Sequence, residues 1–439
     1  MNKKEAQYKF TKGDINRLGD EIRKQKNNLS DETLNQLQSY RISYKDSLAN
    51  TFIILCESCK QIRNNSIVTY RIKRFESIIS KLERHSKMQF SRMWDIAGCR
   101  CIMQNVEDIN KLKSKLSKNF RVIKEYDYLS KPKNDGYKAL HLFIRLKSSE
   151  EIIEVQLRTR ENHNWATLVE ITDLLYDTKL KESNNNQKYG NYKRFHLLLA
   201  QSPSSLSMKD KKEIFHYEKK FDYLNTLTKI FSRNYLTVRK QWLKIEGHSQ
   251  RNYFLIESNK NEPPIITSYT DFSEAETEYF NKFQHNNNSN TVLTHIQNAN
   301  YKKISIAYSN YILTVHNFIE DCFLILENLI QEALNENKYF DFAKYFKLYL
   351  KITVNDINNV NSEILELSSF LQEKKNSIKV STWNNEIKHQ VKNRIMKANK
   401  LVKIFRNSNN IPFPKSILYV HTIINLNKRF QKKINNPSL

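Results

Sequence analysis

The sequence of 439 residues contains little glycine, proline and cysteine. Only 6 glycines and 7 prolines are present, which argues against short strands joined by tight turns and favours long helices. Five cysteines are too few for a disulfide framework in a chain of this size, so we expect a reducing, cytoplasmic environment. Cys56 and Cys59 form a CxxC pair inside an apolar helical pattern, and no second pair follows. A zinc or redox role is therefore not expected.

Long apolar runs are also missing. No stretch approaches about 18 consecutive apolar residues, the length that a membrane span needs, and the first residues, MNKKEAQYKF, form no apolar signal segment. We expect a soluble protein with no membrane partner. The 39% hydrophobic and 11% aromatic content still suffices to build cores, which excludes a wholly disordered chain.

Acidic residues are scarcer than basic ones. The chain has 72 lysines and arginines against 46 aspartates and glutamates, a net charge of +26. This excess favours polyanionic partners such as nucleotides or nucleic acid, although the many asparagine runs point to a codon bias that would also enrich lysine. The charge is uneven, because residues 381–439 hold 12 basic residues and 1 acidic residue.

Strand and helix patterns alternate in the first part of the chain, which predicts an α/β block over residues 1–180. The predicted strands are 96–103, 140–146 and 152–157, and the predicted helices include 43–62, 70–85 and 162–176. Beyond it we expect a helical linker region (181–250), a small α/β accessory module (251–321) and a helical, basic C-terminal region (322–439). The predicted fold class is α/β, with a mixed sheet flanked by helices.

Two segments place cations and a carboxylate close together in the sequence. In RIKRFESIISKLER, the residues Arg71, Lys73 and Lys81 project from a predicted helix, and such cations neutralise phosphoryl oxygens. In WDIAGCR, Asp95 directly precedes a predicted strand that carries Arg100 toward its other end. A carboxylate at a strand edge can hold a magnesium ion. A basic helix face is often merely solvated, so the first segment is weak evidence by itself.

The segment YDYLSKPKNDGYKALH combines a constrained loop with charge and an aromatic ring. Pro132 and the turn at 134–136 constrain the loop, Lys131 and Lys133 add charge, and Tyr137 offers a ring on which a base can stack. A core anchor is the ordinary alternative role of Tyr137.

The segment EVQLRT places three polar side chains on one face of a strand. Glu154, Gln156 and Arg158 alternate with apolar residues, and alternate residues of a strand point to the same side. This face could also be the solvated side of a sheet.

In this order and spacing, the four segments resemble the synthetase domain of the RelA/SpoT family, the enzymes that make the alarmones (p)ppGpp. The resemblance extends from Arg71 to about Glu170 and includes ENHNWATLVE after the last strand. It implies a nucleotidyltransferase-like synthetase domain. No hydrolase segment with paired His-Asp metal ligands is visible upstream, so the resemblance implies synthesis only.

The resemblance implies a binding site for ATP, the pyrophosphate donor. Arg71 and Arg100 would flank the adenine, and Lys73 and Lys81 would hold the phosphates. The charge on phosphoryl oxygens rises in the transition state, so cations placed there would supply much of the catalysis.

The resemblance also implies a magnesium site and an acceptor site. Asp95 and Glu154 would bind Mg²⁺, and Glu154 would help to activate the attacking hydroxyl. Tyr137 would stack on the acceptor base, while Lys133 and His141 would contact its phosphate or ribose. Two residues would support the site: Gln156 and Arg158.

The implied enzyme is a GTP diphosphokinase, which transfers the β,γ-pyrophosphate of ATP to the ribose 3′-hydroxyl of GDP or GTP and releases AMP. One alternative is a toxic small alarmone synthetase that modifies the 3′ end of tRNA, as in toxin–antitoxin or phage-defence systems. The basic residues 381–439 would then be a candidate tRNA contact. A second alternative is a catalytically inactive protein that senses nucleotides. The sequence leaves a homo-oligomer open.

Overall fold

The computed structural model describes residues 10–25, 28–63, 66–134, 136–176, 190–199, 201–223, 241–242, 245, 251–258, 264–285, 290–299, 303–304, 316–338, 340–349, 351–352 and 396. The chain divides into two compact units. The first comprises residues 1–184 and 241–312, and the second comprises residues 185–240 and 313–439.

The first unit is an α/β structure. Its helices are α1 (Lys12–Gln25), α2 (Asp31–Ile42), α3 (Lys45–Ile62), α4 (Phe75–Arg84), α5 (Val106–Asn119), α6 (Arg160–Tyr176) and α9 (Phe272–His285), with a 3-10 turn at Phe90–Arg92. Its strands are β1 (Ile67–Ile72), β2 (Ala97–Met103), β3 (Phe120–Asp127), β4 (Leu140–Leu146), β5 (Ile153–Thr159), β6 (Tyr253–Ser258), β7 (Ile265–Tyr269) and β8 (Asn290–Ile296).

These strands form one mixed sheet in the order β3-β4-β5-β2-β1-β8-β6-β7. The pair β2 and β5 is parallel, with Gly98 opposite Glu154, and the other described pairs are antiparallel. The predicted mixed sheet flanked by helices is therefore confirmed. Strands β1, β2 and β5, which carry or adjoin most of the candidate site residues, lie side by side inside the sheet.

Strand β1 corrects the prediction of one helix over residues 70–85. The chain is a strand to Ile72, and α4 begins at Phe75. Five of the six β1 residues are buried and only Arg71 is exposed, because β1 is an internal strand covered on both faces. Such a strand shows no polar alternation, and the apolar spacing of Ile72, Phe75 and Ile78 continued the helical pattern across the boundary.

The strands predicted within residues 251–321 form, but they belong to the same sheet as the N-terminal block. Strand β8 pairs with β1, from Ile67 opposite Ile296 to Tyr70 opposite Leu293. Helix α9 contributes Ala275, Tyr279 and Phe283 to the core that also contains Tyr70. The spacing of these three residues places them on one face of α9, so the helix covers the sheet beside β1.

The CxxC pair lies in the core between α3 and β2. Cys56 and Cys59 of α3, and Cys99 and Cys101 of β2, are free and buried. Burial raises the pKa of Cys56 well above its ordinary value, which keeps this thiol protonated and unreactive. In the described part of the chain, no three His, Cys, Asp or Glu side chains are grouped so that they could hold a metal ion.

The second unit is helical where it is described. Its helices include α7 (Gly190–Leu199), α8 (Met208–Phe221) and α10 (His316–Asn335), and residues 340–349 are also helical. Ser207 and Asp210 form a capping box at the start of α8, and Arg194 of α7 ion-pairs with Glu213 of α8 at 2.9 Å. The basic segment 381–439 lies outside the described residues except for Met396. Among the described helices, none has the length and apolar character of a membrane span.

Candidate active site

Two lysines converge on Asp95 where β1 ends and β2 is about to begin. Lys73 follows β1, and its Nζ donates to Asp95 Oδ2 at 2.9 Å. Lys81 projects from α4 and donates to both Asp95 oxygens, each at 2.9 Å. Arg71 and Lys73 therefore come from β1 and its end, and only Lys81 comes from a helix, which corrects the prediction that one helix carries all three.

Asp95 is ionised in this arrangement. Burial alone would raise its pKa, but the charges and hydrogen bonds of Lys73 and Lys81 outweigh burial and lower the pKa to about 2. Burial lowers the pKa of Lys73, and the carboxylate of Asp95 opposes that shift. The three side chains form a compact charged group beside the sheet, with side-chain exposures of 15% for Lys73, 18% for Asp95 and 29% for Lys81.

Glu154 is a second carboxylate, held on β5. It accepts hydrogen bonds from His141 Nδ1 at 2.9 Å and from Gln156 Nε2 at 3.1 Å. Burial raises its pKa, but the hydrogen bond and charge of His141, together with Gln156, lower it overall. The charge of Asp95 acts in the opposite sense on Glu154, so the two carboxylates are close enough to interact. Both carboxylates therefore carry negative charge in this site.

A hydrogen-bond chain leads to Glu154 from Arg158. Arg158 Nη2 donates to the Tyr137 hydroxyl oxygen at 2.8 Å, and that oxygen lies 2.6 Å from His141 Nε2. Because ionised Glu154 can only accept, we assign a proton to His141 Nδ1, and the Tyr137 hydroxyl donates to Nε2 when that nitrogen carries no proton. The chain fixes the orientation of the Glu154 carboxylate. The segments around 137, 141 and 154–158 therefore meet in one site.

The aromatic side of the site differs from the expected open stacking platform. Tyr137 is only 8% exposed, and its ring contacts Tyr128 edge-on with ring centroids 6.0 Å apart. Lys133 Nζ lies 4.6 Å from the ring centroid of Tyr128 and 5.1 Å from that of Tyr137. Tyr126 stacks on Tyr128 with centroids 5.8 Å apart. Tyr126 and Tyr128 are not among the predicted site residues, although Tyr126 lies near the end of β3 and Tyr128 directly follows it, a spacing of two that places both on one face.

Gln156 connects the arginines of the site with the carboxylate of Glu154. Its Oε1 accepts from Arg158 Nη2 at 3.0 Å and from Arg100 Nε at 3.4 Å. Burial lowers the pKa of Arg100 to about 9, and the neighbouring charges of Arg158 and Arg71 contribute. The positive charges of Arg158 and Arg71 act on the buried Arg100, and an unbalanced positive charge of this kind favours an anion nearby. Their position beside the Lys73–Asp95–Lys81 group suits a polyphosphate nucleotide.

Gly98 allows β5 to approach β2 at the position of Glu154. A methyl group at Gly98 would lie 2.9 Å from the Glu154 carbonyl oxygen and 3.5 Å from its Cβ. We expect Gly98→Ala to push Glu154 out of position. The kcat of a reaction that uses Glu154 should then fall by about ten- to a hundredfold, because catalytic geometry is sensitive to shifts on the order of 1 Å. The control is Gly13→Ala, whose methyl group would meet only side-chain atoms at 3.6 Å or more. Equal rates for the two variants would contradict this assignment.

The fold is an α/β structure whose mixed sheet carries two carboxylates, Asp95 and Glu154, together with several cationic side chains. Comparison with known proteins agrees. The sequence model described as "Region found in RelA / SpoT proteins" matches residues 70–181. The GTP pyrophosphokinase YwaC of Bacillus subtilis (strain 168) is 32% identical over 150 residues, which cover 30% of this chain and 71% of that protein. The chain therefore belongs to the RelA/SpoT family.

Two further proteins are similar to this chain. The GTP pyrophosphokinase YjbM of Bacillus subtilis (strain 168) is 34% identical over 125 residues, 26% of this chain and 59% of that protein. The crystal structure of small alarmone synthetase 1 from Bacillus subtilis, bound to its product pppGpp, has a TM-score of 0.35 and 24% identity, and the match covers 40% of this chain and 96% of that one. Each of these matches leaves more than half of this chain uncovered.

Proposed function

We propose that the protein is a (p)ppGpp synthetase, a GTP diphosphokinase. It would transfer the β,γ-pyrophosphate of ATP to the ribose 3′-hydroxyl of GDP or GTP. The observation that carries the proposal is the pairing of two ionised carboxylates in one site: Asp95 held by two lysines, and Glu154 held by His141 and Gln156. The relatives named as GTP pyrophosphokinases support the same reaction.

In this reaction, the acceptor 3′-oxygen forms a bond to the β-phosphorus of ATP. The bond from that phosphorus to the oxygen bridging the α- and β-phosphates breaks, and AMP leaves. Glu154 is the group suited to receive the hydroxyl proton, because it is an ionised carboxylate oriented by His141. Lys73 and Lys81 would bind phosphate oxygens, and Arg71 and Arg100 would hold the adenine end of ATP.

The donor set fits a magnesium ion. Asp95 and Glu154 provide carboxylate oxygens, the ligand type that Mg²⁺ prefers, and this ion usually takes only one or two carboxylates and completes its shell with water and phosphates. Asp95 and Glu154 would hold the ion, which would neutralise negative charge on the transferred phosphates.

On the acceptor side, Lys133, Tyr137 and His141 would bind the nucleotide. Tyr137 is enclosed in the structure described here, so stacking of a base would use its neighbour Tyr128 or would require the ring of Tyr137 to be uncovered. Gln156 and Arg158 would act as supports through their hydrogen bonds to each other and, from Gln156, to Glu154.

Incubation of the purified full chain with Mg²⁺ and γ-labelled ATP tests the proposal. Separate reactions contain GDP, GTP or deacylated tRNA, and AMP release is followed in each. We expect AMP and a labelled guanosine nucleotide, with no label transferred when Asp95 or Glu154 is replaced by alanine. Label found only in tRNA would overturn the nucleotide acceptor and support the RNA-modifying alternative. Failure of every acceptor to take up label would favour a nucleotide-sensing protein.

A further inference from the structure

A buried arginine, outside the segments that resemble the RelA/SpoT family, contacts the backbone of the proposed ATP site. Arg41 of α2 is only 4% exposed, and its Nε donates to the Lys73 carbonyl oxygen at 3.0 Å. Its guanidinium carbon lies 4.0 Å from the ring centroid of Phe75 and 4.2 Å from that of Phe283. Arg41 therefore contacts Phe75, the first residue of α4, and Phe283, near the end of α9, while it binds the backbone of Lys73.

A tyrosine of α9 completes the hydrogen bonding of β1 next to Lys73. The pairing of β8 with β1 ends at Tyr70, and farther along β1 the N–H of Ile72 donates to the hydroxyl oxygen of Tyr279 at 3.0 Å. Tyr279 is fully buried. A helix side chain thus occupies the place that a strand backbone would otherwise take.

These contacts hold the backbone at Lys73 through three groups, which are its own N–H, its carbonyl and the N–H of Ile72. Its N–H donates to the carbonyl of Ile96 at 2.7 Å, next to Asp95, its carbonyl accepts from Arg41, and the preceding N–H is held by Tyr279. Burial of a guanidinium is costly, and an apolar side chain of similar size often serves stability equally well or better. Fixing the exact position of a functional backbone is a reason to keep such a group.

We propose that Arg41 and Tyr279 are positioning residues of the donor site, which hold the backbone at Ile72 and Lys73 so that the Lys73 ammonium group meets the phosphates of ATP. This inference rests on the proposed function, because it takes ATP as the ligand of Lys73. It assigns residues 264–285 a part in ATP binding, although they lie outside the residues that match the family.

Tyr279→Phe tests the inference by removing one oxygen atom from the buried contact. Amide hydrogen exchange gives a readout that does not depend on activity: exchange at Ile72 should accelerate, while exchange at Tyr70 should not. In the full-length enzyme, the KM for ATP should rise by about fivefold, the effect of losing roughly one hydrogen bond. The KM for the acceptor should not change. Arg41→Lys keeps the charge but loses the planar guanidinium group, and should also raise the KM for ATP.

The matched control is Tyr253→Phe. Tyr253 lies in β6, and its ring contacts His295 and Phe272. This variant should change neither Ile72 exchange nor the KM for ATP. Unchanged amide exchange at Ile72 in Tyr279→Phe would overturn the inference. Faster exchange at Ile72 would also overturn it if the KM for ATP stayed within twofold of the original value, or if the KM for the acceptor rose as much as the KM for ATP. If the unaltered chain failed to bind a non-hydrolysable ATP analogue, the proposed function would fall first and the inference with it.

Discussion

Glu154→Gln should reduce pyrophosphate transfer by about a hundred- to ten-thousandfold, the range expected when a general base is removed. Glutamine has nearly the same shape as glutamate, but it cannot accept the hydroxyl proton and it carries no charge for a metal ion. Its carbonyl oxygen can still accept from His141 Nδ1 or Gln156 Nε2, so the site should remain folded. Steady-state rates of AMP release with saturating ATP and GTP measure the effect.

Glu125→Gln is the control for this variant. Glu125 lies on β3 and ion-pairs with Lys113 of α5 at 2.5 Å, away from the group around Glu154. Its rate should stay within about twofold of the original, since exposed ion pairs contribute little free energy. A Glu154→Gln enzyme with more than a tenth of the original rate would show that another group accepts the proton.

Asp95→Asn should have two separate effects. It leaves Lys73 and Lys81 without their shared carboxylate. The free energy of unfolding should therefore fall by about 2 kcal/mol in metal-free buffer. This value corresponds to the lowering of the pKa of Asp95 from 3.8 to about 2 in the folded protein. Transfer activity should fall by about a hundredfold or more, because a candidate magnesium ligand is lost. Urea denaturation and AMP release measure the two effects.

The pH dependence of this stability difference has a definite sign. The pKa of Asp95 is lowered in the folded state, so its contribution is complete above the unfolded pKa and is lost as the pH falls from about 4 toward 2. The unfolding free energies of the original protein and Asp95→Asn should therefore converge over that interval. A difference that stayed constant down to pH 2 would contradict the ionic account of the Lys73–Asp95–Lys81 group.

The chemical character of the site was predictable from the sequence because its signals are local. Strict alternation in EVQLRT placed Glu154, Gln156 and Arg158 on one face, and the structure joins them by hydrogen bonds. The strands predicted at 96–103, 140–146 and 152–157 correspond to β2, β4 and β5. These segments are bounded by turns or charges, so the predicted and observed limits agree to within one or two residues.

The parts that could not be predicted depend on distant residues. An internal strand such as β1 has no polar alternation, and its second neighbour β8 comes more than two hundred residues later. Nothing near Arg41 or Tyr279 in the sequence indicates that both side chains meet the backbone at 72–73. The enclosure of Tyr137 depends on Tyr128, Lys133 and Arg158, and residue pattern alone does not show which rings cover one another.

The pairing of β1 with β8 bears on how this enzyme can be dissected. A fragment that ends near residue 184 would contain all the residues that match the family, but it would convert β1 from an internal strand into an edge. The backbone groups of Ile67 to Tyr70 would lose their partners, and unprotected strand edges recruit other chains. We expect such a fragment to aggregate for reasons unrelated to regulation, because the compact unit that contains the site is discontinuous in sequence.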